Sequence, residues 1–112
     1  MSDTLIQFIP KEEVFHTCDQ VEYQEGAIAS KTLVNREQIN LTILALDEKE
    51  ELSTHSAPGD AYITLLDGSG HVFIDGVRYD LKKNESIVMP YGKPHSVHAD
   101  ERMKFQLILV KK

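Results

Sequence analysis

The sequence predicts an all-β fold of one domain, closed as a barrel or sandwich, and three observations predict it. Turn signals recur at short intervals from Asn35 to Glu101, with β-prone runs of three to six residues between them. The pair Asp75-Gly76 separates VFI from VRYDL, and a two-residue hairpin turn needs positive φ at its centre, which Asp and Gly tolerate. The chain has 112 residues, enough for one domain that buries about two thirds of its unfolded surface and folds without disulfide staples.

Taken in order, the first quarter is the least regular. Residues 5–9 suit an edge strand, Pro10 suits the opening of a short helix through Glu12, Glu13, Val14 and Phe15, and Gly26 breaks the chain before a strand over 27–34. Strands are then expected over 41–46, 62–66, 72–74, 77–81, 86–89 and 105–110, with the acidic run 47–51 read as a solvated loop. No repeat, linker or second domain interrupts 1–112; a barrel core occupies about 39–110, and an N-terminal arm, 1–34, packs on the barrel or on a second subunit.

Alternation bears on that subunit. In LTILAL (41–46) Leu41, Ile43 and Ala45 face one way and Leu44 and Leu46 the other, so both faces are apolar, and QLILV (106–110) is similar. A strand with one wet face should alternate apolar with polar, so the pattern predicts sheet packing plus a homodimer interface.

Composition excludes several classes. Twelve basic against eighteen acidic residues give a formal charge of −6, with no basic stripe, which argues against nucleic acid. No run approaches the roughly 18 apolar residues of a membrane span, and no signal peptide is recognisable. The one cysteine, Cys18, cannot form an internal disulfide and lies in no nucleophile motif, so a cytoplasmic protein is expected.

The most informative stretch is 84–99, NESIVMPYGKPHSVHA. Ile87, Val88 and Met89 are β-prone, Pro90 cannot donate to a ladder and closes the strand, and Gly92 suits a positive φ. Lys93 and Pro94 then keep the chain extended into His95, whose imidazole is presented from a strand end with little freedom. A weaker companion runs over 53–70, STHSAPGDAYITLLDGSG, where His55 leads through Pro58 and Gly59 into a strand ending at Asp67-Gly68.

Together these segments resemble the two cupin motifs, over roughly 39–110. The second, Gly-x5-Pro-x-Gly-x2-His-x3-Asn, is met by Pro90, Gly92 and His95, with Asn84 in the first glycine slot and Ala99 in the last position. The first, Gly-x5-His-x-His-x(3,4)-Glu-x6-Gly, fits in two frames. Either His55 takes the first histidine slot, with Ala57 in the second, Ala61 in the glutamate slot and Gly68 at the end, or Ser53 and His55 take the histidine slots and Asp60 stands at the carboxylate. In both frames one histidine is missing. The resemblance implies a cupin-type double-stranded β-helix, a jelly-roll-like barrel with a short N-terminal strand or helix segment. It also implies a site at the barrel mouth, since family members hold a metal through three histidines and a glutamate, or bind sugars and small organic acids without one.

The candidate pocket is therefore His55, Met89, Tyr91 and His95, and the candidate metal set is His55, His95 and Asp60. Three readings stand. The mouth binds a small polar organic molecule or sugar acid through the two imidazoles. Alternatively, a divalent metal (Fe, Mn, Ni or Zn) on His55 and His95 serves an isomerase, decarboxylase or dioxygenase. Or the barrel is an inert interaction module. His71 and His98 are expected on the surface or at an interface, His98 because three residues from His95 it takes the opposite face of a strand, and His16 lies outside both motifs.

Overall fold

Period-two patterning is realised in nine strands of the computed structural model, which describes residues 5–112; the first four residues of the expected arm lie outside the described residues. They are β1 (Ile28–Asn35), β2 (Ile39–Leu46), β3 (Glu51–His55), β4 (Gly59–Asp67), β5 (Gly70–Ile74), β6 (Val77–Leu81), β7 (Ser86–Met89), β8 (His95–Ala99) and β9 (Met103–Lys111). A five-stranded sheet in the order β1-β2-β9-β4-β7 faces a four-stranded sheet in the order β3-β8-β5-β6, and every pairing is antiparallel. The fold is all-β, with one 3-10 turn among the described residues, at Thr17–Gln20.

The β5–β6 hairpin turns on Asp75 (φ 50°) and Gly76 (φ 82°), both in the left-handed region that a two-residue turn requires. Inward residues of both sheets make the main core: Leu44 and Leu46 from β2, Ile63 and Leu65 from β4, Val72 from β5, Met89 from β7, Val97 from β8, and Met103 and Phe105 from β9. Gly68 (φ 77°) follows β4 where a β-carbon would overlap the Arg102 carbonyl, so both its backbone and its space demand glycine. Gly68→Ala is expected to cost about 2–4 kcal/mol, seen as a lower urea midpoint. An unchanged midpoint would mean the turn is not held against Arg102.

The apolarity of both β2 faces has an intramolecular explanation. Leu44 and Leu46 enter the main core, while Ile43 and Ala45 lie on the outer face beneath a second cluster containing Val21 and Leu33, with Ile9 and Tyr23 packed against it. The arm is thus seated on the five-stranded sheet. Lys104 Nζ donates to the Cys18 carbonyl (2.7 Å) and the Tyr23 hydroxyl to Asp67 (2.7 Å). Burial and the neighbouring Asp67 carboxylate push the Tyr23 phenol up.

Two expectations for the arm fail. Residues 5–9 form no strand: the backbone bond to β1 is Gln7 N–H to the Leu33 carbonyl (2.8 Å), and Phe8 at φ 65° breaks the extended run. No helix follows Pro10, because Glu12 at φ 58° leaves the right-handed region. The acidic loop also ends one residue earlier than expected, at Glu50, because β3 begins at Glu51.

Candidate functional site

His95 is placed by the turn that precedes it. Pro90 ends β7, Lys93 N–H donates back to the Pro90 carbonyl (3.2 Å) across Tyr91 and Gly92 (φ 79°), and Asp75 N–H donates to the Pro94 carbonyl (2.8 Å), tying the loop to the β5–β6 hairpin. The chain enters β8 with its inward positions at His95, Val97 and Ala99, all buried, and His95 is only 3% exposed.

His55 arrives on β3 by a different device. Leu52 pairs with Val97 and His55 with His95, three steps on β3 against two on β8, so one extra residue bulges between them. The bulge keeps Leu52 and His55 on the same side despite their odd separation. The two imidazoles meet with centroids 4.5 Å apart and planes at 69°. One ring is exposed and the other buried, so the pair sits at the barrel rim.

Hydrogen bonding fixes the tautomers. His55 Nδ1 lies 2.8 Å from the Ser53 carbonyl and His95 Nδ1 3.3 Å from the Lys93 carbonyl. A carbonyl only accepts, so each Nδ1 carries the proton and each neutral ring keeps a lone pair on Nε2. Burial first, and then the charge of His55, hold His95 below the ordinary histidine value of 6.5, against a smaller opposing effect of the Lys93 carbonyl. At neutral pH His95 is an acceptor.

Of the other expected site residues, none joins this pair as foreseen. Ala61 faces inward and is 2% exposed, which turns its neighbour Asp60 to the opposite side, where Asp60 Oδ1 accepts the Tyr91 N–H (2.7 Å). Among the described residues His55, His95 and Asp60 do not form a group with metal-ligand spacing. Tyr91 would share the inward face of Met89 had β7 continued, but the Pro90–Lys93 turn swings it out; it is 51% exposed, with Lys112 Nζ 5.2 Å from its ring centroid. Met89 is 1% exposed and belongs to the core. A depression of ≈ 480 Å³ borders His95, but with Thr54, Phe73, Pro94, Ser96 and His98 it lies towards the outer face of the four-stranded sheet and touches none of His55, Met89 and Tyr91.

A second cluster lies on the outer face of the four-stranded sheet. His71 and His98 are cross-strand partners, stacked at 4.8 Å with planes 8° apart, rather than isolated surface residues. His71, Asp80 and Asp100 offer ligand atoms all within 4.8 Å of one another. The one signal for this in the sequence is period two, which sets 71, 73, 96 and 98 opposite the core positions 72, 74, 95 and 97. The β5–β8 pairing that unites them joins strands more than twenty residues apart, which no local pattern announces.

Comparison with known proteins agrees with the barrel. The family model described as cupin domain matches residues 42–111. The chain belongs to the cupin family. Among solved structures, this cupin is similar to a conserved protein of unknown function from Streptococcus pyogenes, with 33% identity, TM-score 0.97, and coverage of 100% of this chain and 98% of that one. It is also similar to a cupin 2 conserved barrel domain protein from Leptotrichia buccalis, with 47% identity and TM-score 0.85 over 87% of this chain and 47% of that one. A cupin superfamily protein from Desulfitobacterium hafniense shares the fold at 20% identity, TM-score 0.92, with 96% and 98% covered. No curated protein matches the chain. Among the described residues no helix is long and apolar enough to cross a membrane.

Proposed function

We propose that this cupin binds a small polar organic molecule, a sugar or sugar acid, at the barrel rim, with Nε2 of His55 and Nε2 of His95 accepting hydrogen bonds from its hydroxyls. One observation carries the reading: two imidazoles from separate strands with ring centroids 4.5 Å apart, whose Nδ1 protons are spent on backbone carbonyls, leaving each Nε2 an acceptor. Hydroxyl donors complement such a pair, and neutral rings desolvate at little cost.

A divalent ion at the rim does not fit the residues present. Two imidazoles face each other without a carboxylate, alanine stands at 57 and 61, and Asp60 is turned to Tyr91. A resident ion ordinarily takes three or more protein ligands, so the isomerase, decarboxylase or dioxygenase alternative lacks its donor set.

The test is a thermal-shift screen of sugars, sugar acids and hydroxy acids, followed by calorimetry. Any hit is expected to weaken at least tenfold in both His55→Gln and His95→Gln, and affinities indifferent to both substitutions would refute the rim. A screen with no hit would favour an interaction module instead.

The homodimer belongs to the same proposal, on a narrower surface than β2 suggested. On the outer face Val88, Tyr62 and Ile108 form one cross-strand row and Val110 and Ile39 a second, with Tyr62, Val88 and Val110 about half exposed. Sedimentation at micromolar concentration is expected to give twice the chain mass, and Tyr62→Glu to halve it. A monomeric wild-type protein would dismiss the interface. A cytoplasmic setting is proposed with it, resting on Cys18 having no other cysteine to pair with.

A further inference from the structure

We propose that the outer face of the four-stranded sheet holds one divalent transition-metal ion between His71, Asp80 and Asp100, a site distinct from the His55–His95 rim and independent of its function. The site is built by sheet register. Asp80 on β6 pairs with His71 on β5, His71 with His98 on β8, and His98 with Glu51 on β3, so one row crosses all four strands. Period two places that row opposite the core residues Val72 and Val97.

His71 is the anchor because its ring cannot turn freely. His98 stacks on one face, and Phe73 meets the ring edge-on at 5.5 Å with planes at 85°. His98 is not itself a ligand: its Nδ1 lies 2.9 Å from Glu51 and its Nε2 2.8 Å from the Ser96 hydroxyl, so both nitrogens are engaged and the ring serves as a wall. The side chain of His71 is 13% exposed, so a ligand atom is held at the surface without being left to wander.

The carboxylates complete the set from two other elements. Asp100 Oδ1 lies 2.9 Å from His71 Nδ1, and Asp100 is fixed by its own N–H donating to the Ser69 carbonyl (3.1 Å). Asp80 is held by Arg78, whose Nε and Nη2 both reach Oδ1 at 3.0 Å. Two ligand atoms each about 2.1 Å from one zinc-sized ion stand roughly 3 to 3.5 Å apart. The ligand atoms span up to 4.8 Å, so with His71 held by its neighbours the exposed Asp80 carboxylate is the one that moves in on binding. One imidazole and two carboxylates, one of them shared with Arg78, leave positions open for water, which suits Zn, Co, Ni or Mn better than a thiolate-seeking ion.

The experiment is calorimetry with Zn2+, and visible absorption with Co2+, on the untagged full chain after chelator treatment. One ion per chain with a micromolar or tighter Kd is expected. The affinity should fall at least tenfold in His71→Ala and in Asp80→Asn, and be retained in His55→Gln and His95→Gln. Asp80 is largely exposed, so its substitution reads ligation without threatening the fold. Absence of binding at 1 mM Zn2+, or an ion lost with His95→Gln and kept with His71→Ala, would overturn the assignment.

Discussion

Phe105→Ala is expected to lower the free energy of unfolding by about 3–5 kcal/mol, from a total that for a domain of this kind is about 5–15 kcal/mol. Phe105 has no solvent exposure and lies between Leu44 of β2 and Leu65 of β4, its direct cross-strand partners, so deleting the ring leaves a void where the five-stranded sheet meets the other. The sheet cannot collapse into that space without breaking two ladders, and so most of the cavity persists. Urea unfolding should show a much lower midpoint at similar slope. Val77→Ala, at an exposed position of β6 outside this core, should stay within about 0.5 kcal/mol of wild type. A Phe105→Ala loss below 1 kcal/mol would mean that β9 is not at the centre of the core.

Acidification is expected to abolish guest binding at the rim, by at least tenfold between pH 8 and pH 5. Protonation of His95 converts its Nε2 from acceptor to donor, so the guest's hydroxyl loses that partner. Fold stability moves the same way. Because His95 is held below its unfolded value of 6.5, the unfolded chain takes up the proton first. Its contribution is complete above that value and is lost as pH falls from there through the lowered folded value. His95→Gln should flatten this part of the stability profile; an identical profile in the variant would assign the dependence to another group.

Much of this architecture is legible in the sequence where the signal is local. The Asp75-Gly76 hairpin, the closure of β7 at Pro90 and the entry of His95 into β8 all follow from φ preferences of single residues. What is not legible depends on partners far along the chain. β3 carries the polar run Glu51–His55 with Leu52 alone packing on the core, so its composition reads as loop until β8 pairs with it. The bulge that brings His55 to His95 exists only in that pairing. Tyr91 follows the inward Met89 by two, and parity alone would place it at the rim, but the turn through Gly92 cancels parity. The second apolar face of β2 reads as an interface between chains, whereas Val21 and Ile9 from the irregular arm cover it.

His55 and His95 present two unprotonated Nε2 atoms on rings that meet at the rim. Long-range 1H–15N correlation spectra of histidine-labelled protein at pH 7.5 test it most directly. Nδ1–H tautomers are expected for both rings, with both Nε2 resonances moving together when a hydroxyl-bearing guest is added. Nε2–H tautomers, or a guest that shifts neither ring, would contradict it.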